Sequence, residues 1–329
     1  MGRAAAVLQR RLGAVAFERH GPPQGVLGWA EGAGAAPGAG QVQVAVRAFP
    51  VLPEDVRAVQ GTSVVRSSTG IAGSVAVGTV KSVGTRGLEL SVGDLVLVVT
   101  STSGVWADSV TVSASSAWKL PLAALAPEDA AMLPAALSAH RILSMQRTLA
   151  TGDTVVVSNA DTAVGRALAA LCSHRGLKLV DLPTAVESKD PRLLAAGRVK
   201  LAVAQSSGST VLALSRALQH GGVLVCVAGA AEPLSRDLGG VTVPVSPLIF
   251  SSVAVRGFDF GSWALEPRDS QGQGEGVDAA LAETLGLVGA GKLNLASLRG
   301  GARVYAAKTE AGAAAEAVRL GAAAAVVVL

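Results

Sequence analysis

Tyrosine is nearly absent from this chain, with Tyr305 the one copy in 329 residues. Charge is scarce too: Asp, Glu, Lys and Arg make up 16%, against about 25% in an average soluble domain. Cysteine occurs twice, at Cys172 and Cys226, each in an apolar stretch, which predicts buried, reduced thiols and excludes a disulfide framework. Four scattered histidines (His20, His140, His174, His220) have no Cys or carboxylate at ligand spacing, so no zinc site is expected. No run of about 18 apolar residues escapes a charge or a turn residue, which argues against a membrane-spanning helix. The formal charge of +4 is dispersed and contains no basic run, so direct nucleic-acid contact is not indicated. What is present is apolar (50%) and rich in glycine (39 residues), a composition that excludes disorder and coiled coil. The length predicts about two domains, on the usual roughly 100–200 residues each, with a core that needs no staples.

The start, Met1–Leu12, carries Arg3, Arg10 and Arg11 and no acid before Glu18, a pattern resembling a short mitochondrial presequence. A barrel-like region is expected over 13–125. There Gly13–Phe17, Gln41–Val46, Ser74–Val83, Leu95–Val99 and Trp106–Val112 read as short strands separated by glycine turns. The pattern changes after Lys119. Pro127-Glu128-Asp129 starts a helix, Ala135–Thr148 continues as a second, and βα units follow. Their strands are Thr154–Val157, Leu177–Leu182, Val199–Ala204, Gly222–Val227 and Val253–Gly257, with helices at Ala163–Arg175 and Ser209–Gln219. Alternation of this kind predicts an α/β fold with a doubly wound parallel sheet over 126–299. The segment 300–329, through a helix at Ala313–Leu320 and a strand at Ala323–Leu329, is expected to return to the first region.

In such a sheet, ligands bind beyond the carboxyl ends of the strands, here at the turn Ser158–Gly165. Gly165 stands in the place that serves helix–strand packing, while Ala163 occupies a position where a second glycine is expected. Asp161 adds a negative charge beside the phosphate position unless it caps the helix. Asp181, at the end of the next strand, suits a ribose hydroxyl.

These features together resemble the medium-chain dehydrogenase/reductase superfamily, and within it the zinc-free mitochondrial trans-2-enoyl-thioester reductases. The resemblance covers nearly the whole chain. It rests on Ala16–Val26, Val92-Gly93-Asp94, Gly104–Val112, Ala139–Leu143, Thr151–Val155, Asp161–Ala167 and Leu214–Val225. Its most specific part is Pro247–Phe250 with Val255–Phe258 and Trp263. It implies a GroES-like β-barrel domain joined to a Rossmann-type domain, NADPH as cofactor, and Phe258 and Trp263 as substrate-pocket residues.

The departures concern the site. The family's tyrosine, which supports enolate protonation, falls at or beside Ser63, after Leu52-Pro53-Glu54-Asp55 and Gly61. A serine hydroxyl is too short and too weak an acid to replace it simply. A Gly-Asn-Glu-Gly-like cluster becomes roughly Ala76-Val77-Gly78, and an Asn-Pro motif beside the nicotinamide becomes Ala135-Ala136. The arginine for the 2′-phosphate falls at Thr184, leaving Lys189 or Arg192 to replace it, and the phosphate-loop positions are Ala163, Val164 and Gly165. Each loss removes a contact that a charged dinucleotide uses. Two functions follow. One is a degenerate, non-catalytic subunit of a mitochondrial matrix assembly or a homodimer. The other is an active NADPH-dependent 2-enoyl-thioester or quinone reductase.

Overall fold

The computed structural model describes residues 13–31, 35–62, 70–84, 89–101, 104–121, 125–182, 199–205, 209–227, 245–267, 276–300, 304–306 and 326–329. The expectations for Met1–Leu12, Ser63, Thr184, Lys189, Arg192 and the helix at Ala313–Leu320 lie outside these residues.

A ribbon of β1 (Gly13–Ala16) and β2 (Gly28–Glu31), with the single-turn α1 (Pro23–Val26) between them, opens the described chain. Alternating valines then set the longest strand of the first region. Val42, Val44 and Val46 are buried while Gln41 and Arg47 face out, and β3 runs over Gln41–Pro50, four residues beyond the expected end. With β4 (Val75–Val83), β5 (Leu95–Val99), β6 (Ser109–Ser113) and β7 (Ala117–Lys119), it forms the GroES-like barrel sheet. Two C-terminal strands, β13 (Val304–Ala306) and β14 (Val326–Val328), complete that sheet, β14 lying antiparallel to β3 in the register Val327 opposite Phe49. Inside, Trp106 is fully buried and stacks on Phe49 with ring centroids 5.5 Å apart.

The first region is not all strand, as the sequence reading expected. Between β3 and β4 lies α2 (Pro53–Gln60). Its start follows from Pro53 at the first helical position and from the Leu52 amide donating to the Asp55 carboxylate at 3.2 Å. It stops at Gly61, whose φ of +76° suits a left-handed cap.

The second sheet is fully parallel: β8 (Thr154–Val157), β9 (Lys178–Asp181), β10 (Val199–Ala204), β11 (Leu218–Val227) and β12 (Ala254–Phe258), in the order β12-β11-β10-β8-β9. Every residue of β8 is buried, as a β-branched run in a covered parallel sheet should be. The surrounding helices are α3 (Pro127–Ala130), α4 (Leu133–Ser144), α5 (Ala163–His174), α6 (Ser209–Ala217), α7 (Val245–Phe250), α8 (Phe260–Ala264), α9 (Val277–Gly289) and α10 (Leu295–Leu298). One apolar core runs from Val77, Leu97 and Trp118 of the barrel through α3 and α4 into β8, β10 and α5. That shared core places the barrel and the carboxyl ends of the parallel strands side by side. Cys172 lies inside it, where burial pushes its thiol up to about 12, and burial raises Cys226 as well. No helix among the described residues is long and apolar enough to cross a membrane.

Candidate functional site

The strand order reverses at β8, which has β9 on one side and β10 on the other, so the turn from β8 into α5 sits at the switch point. Thr162, not Asp161, caps the helix: its hydroxyl accepts from the Gly165 amide at 2.9 Å and donates to Gln205 at 2.5 Å. Asp161 is exposed, and its backbone carbonyl accepts from Arg166. Asp181, expected to suit a ribose hydroxyl, also has a structural duty: its carboxylate accepts from the Ala160 amide at 2.8 Å and fastens the turn to β9. Gly165 is a packing glycine, as expected. A Cβ there would stand 2.4 Å from the Asn159 carbonyl oxygen. With Gly165 served by Thr162, the amides of Ala163 and Val164, the first two of α5, have no acceptor among the described residues. Two such amides at the positive end of a 12-residue helix fit a pyrophosphate.

A cavity of about 320 Å³ opens between the barrel and the second sheet. Its walls are α2 on one side (Leu52, Glu54, Asp55, Ala58) and the start of α8 on the other (Asp259, Phe260, Leu265). Phe17, Gly73, Ser74 and Thr100 close it from the barrel. Three carboxyl groups line the cavity, and no Lys, Arg or His does among the described residues. Asp55 is fully buried, accepts from the Ser74 hydroxyl at 2.7 Å, and is pushed up to about 6 because burial outweighs those hydrogen bonds. Asp259 caps α8 by accepting from the Ser262 amide at 2.7 Å. Glu54 is pushed up to about 7, chiefly by desolvation, with the charges of Asp55 and Asp259 adding to it and its own amide and Arg57 opposing.

Phe258 and Trp263 do not line this cavity. They are buried and pack on each other with centroids 5.9 Å apart, and Trp263 also meets Phe260 edge-on at 6.2 Å. Phe260 is the ring that reaches the cavity wall, one turn of chain away from either expected residue. Ala76, Val77 and Gly78 lie inside β4, whereas Ala72, Gly73 and Ser74, just before it, reach the cavity. Ala135 and Ala136 are buried in the first turn of α4. His140 is a packing residue: it is buried on α4 and its Nε2 lies 2.7 Å from Glu283 of α9. Arg256 is exposed on β12, with no carboxylate partner among the described residues. The residue that sequence reasoning passed over is Glu54. The signal was present in the run Leu52-Pro53-Glu54-Asp55, used there only to locate the tyrosine position and not for the acid it carries.

Residues 38–122 match the alcohol dehydrogenase GroES-like domain family. Over the whole chain, a solved mitochondrial 2-enoyl thioester reductase heterodimer (Etr1p/Etr2p) from Candida tropicalis superposes with a TM-score of 0.77, covering 97% of this chain and 100% of its own, at 18% identity. The chain has the medium-chain dehydrogenase/reductase fold. The solved structure of Escherichia coli quinone oxidoreductase complexed with NADPH also gives a TM-score of 0.77 at 20% identity, over 96% of this chain and 100% of that one. By sequence, the mitochondrial enoyl-[acyl-carrier-protein] reductase of Xenopus tropicalis is 27% identical over 277 residues, which is 76% of this chain and 77% of the relative. The chain therefore resembles the enoyl-thioester reductases in fold and in sequence.

Proposed function

We infer that the chain is a mitochondrial, NADPH-dependent reductase acting on the conjugated double bond of a 2-enoyl thioester. The observation that carries this reading is the β8–α5 turn, where the amides of Ala163 and Val164 stay open above a close-packed Gly165. NADPH, when bound, supplies a hydride. The chain's own residues do the rest. Ala163 and Val164 bind the pyrophosphate through their backbone, so the alanine in place of glycine keeps the donor and adds only a methyl group. Lys189, with Thr184 at the family's arginine position, is assigned to the 2′-phosphate. Leu52, Phe260 and Leu265 exclude water from the cavity, and Ser63 leaves the family's tyrosine role to another group. The units 13–125 with 300–329 and 126–299 are taken as the two domains whose cleft holds the site.

The test is direct. Purified protein titrated with NADPH gains thermal stability by mass action at micromolar cofactor, and it turns over a crotonyl-type thioester. No stabilisation at millimolar NADPH overturns the reading.

A second reading, a non-catalytic subunit of a mitochondrial assembly or homodimer, is favoured by one feature. On α7, Val245, Ile249 and Phe250 are 62–78% exposed, and Val255 on the adjacent edge strand β12 is 40% exposed. An apolar patch beside a strand edge that is unpaired among the described residues suits another protein chain. Recovery of the protein in a large particle, together with failure to bind NADPH, would decide for this second function.

A further inference from the structure

We propose that the Glu54 carboxyl is the proton donor of this reductase, standing in for the family's tyrosine. The inference rests on the reductase reading above and assigns its missing acid. Glu54 sits in the first turn of α2 and lines the 320 Å³ cavity, facing the wall formed by Asp259, Phe260 and Leu265. The two neighbouring acids are committed elsewhere. Asp55 accepts from the Leu52 amide and the Ser74 hydroxyl, and Asp259 accepts from the Ser262 amide. Glu54 has only its own amide as a hydrogen-bond partner among the described residues, so its carboxyl remains available to a ligand.

The chemistry balances without a further reagent. A hydride supplied to the substrate's β carbon by a bound nicotinamide would leave the electron pair of the double bond on the α carbon and thioester oxygen. The Glu54 O–H bond then breaks as a C–H bond forms at the α carbon. Water at the cavity mouth returns a proton to the carboxylate. A carboxylic acid can perform this step near neutral pH because its environment keeps it protonated. Burial is the largest cause, in a cavity lined also by apolar Phe17, Leu52, Phe260 and Leu265; Asp55 and Asp259 repel its negative form, and Arg57 on the same helix favours ionisation.

The decisive experiment compares the full-length wild type with Glu54→Gln, which keeps the shape and loses the acid. Three quantities are read: kcat against pH for crotonyl-thioester reduction, the affinity for NADPH, and the infrared carbonyl band of a protonated carboxyl in the cofactor-free protein. The wild-type rate should fall as pH rises through about 7. Glu54→Gln should lose about 10²–10⁴-fold in kcat, lose the pH dependence, and bind NADPH unchanged. An infrared band titrating near pH 7 should be present in the wild type and missing in the variant, which keeps only the Asp55 band titrating near 6. Should Glu54→Gln not fold, Glu54→Asp and the wild-type pH profile carry the same comparison, since an acid one methylene shorter retains the profile at a reduced rate. A variant as active as wild type, with an active wild type, overturns the proposal alone. A wild type that never turns over overturns the reductase reading and the proposal together.

Discussion

At the scale of single residues, two positions around the cavity carry opposite kinds of strain. Gly73 has a φ of +88°, and a Cβ there would meet the Trp106 ring at 2.1 Å. Gly73→Ala therefore forces both an unfavourable backbone angle and a shift of the most buried indole, at a cost of about 2–5 kcal/mol, readable as a drop in urea midpoint at unchanged slope. Glu54 is strained electrostatically. Its pKa is raised from 4.5 to about 7, so the folded state holds its proton longer than the unfolded chain does. The destabilisation is absent below about pH 4.5 and fully present above about pH 7. Glu54→Gln should thus be more stable than wild type at pH 8 and no more stable at pH 4, measured by thermal melts across that range. Neither strain was legible in the sequence. A glycine before a valine run reads as a turn, and an acid after proline reads as a helix start. What makes each special is a neighbour supplied from far along the chain: Trp106 in the first case, Asp259 and Phe260 in the second.

At the scale of elements, the strands of the parallel half were the most legible, although β11 starts at Leu218, four residues early, and the helix Val277–Gly289 was not expected. Continuous β-branched runs can only be covered strands, and β8 and β10 fall where their valines place them. The turn after β8 was legible in outline, but the cap offered there as one alternative for Asp161 belongs to Thr162. Asp161 and Thr162 are both good caps by type, and only the backbone angle at Thr162, with φ −73° and ψ 161°, selects one. Thr162→Ala should cost about 1 kcal/mol, seen in denaturant unfolding. It should also weaken NADPH binding, because the Gly165 amide and Gln205 lose the hydroxyl that holds the turn closed. Helix α2 was missed because a short helix between two strands leaves too few residues for a period to show. Helix α7 was noticed only as a family signature, not as a helix.

At the scale of the whole molecule, the shared core from barrel to parallel sheet fixes the cleft, and the α7 and β12 surface lies on the far edge of that sheet. A second copy of the chain pairing there predicts a dimer in sedimentation at micromolar concentration. Phe250→Glu, at a side chain 78% exposed, should return a monomer whose melting temperature is lower than the dimer's and no longer depends on protein concentration. A wild type that sediments as a monomer would remove the homodimer and leave the patch to a different chain.

The placement of β14 against β3 has a consequence for how the protein is made. A ribosome releases β3 early, yet its partner edge stays open until Val326–Val328 have been synthesised. The parallel sheet lies between them in the chain and can be finished first. During translation, the Ala48–Pro50 edge is therefore exposed for most of the synthesis time, the interval in which strand edges aggregate or recruit chaperones.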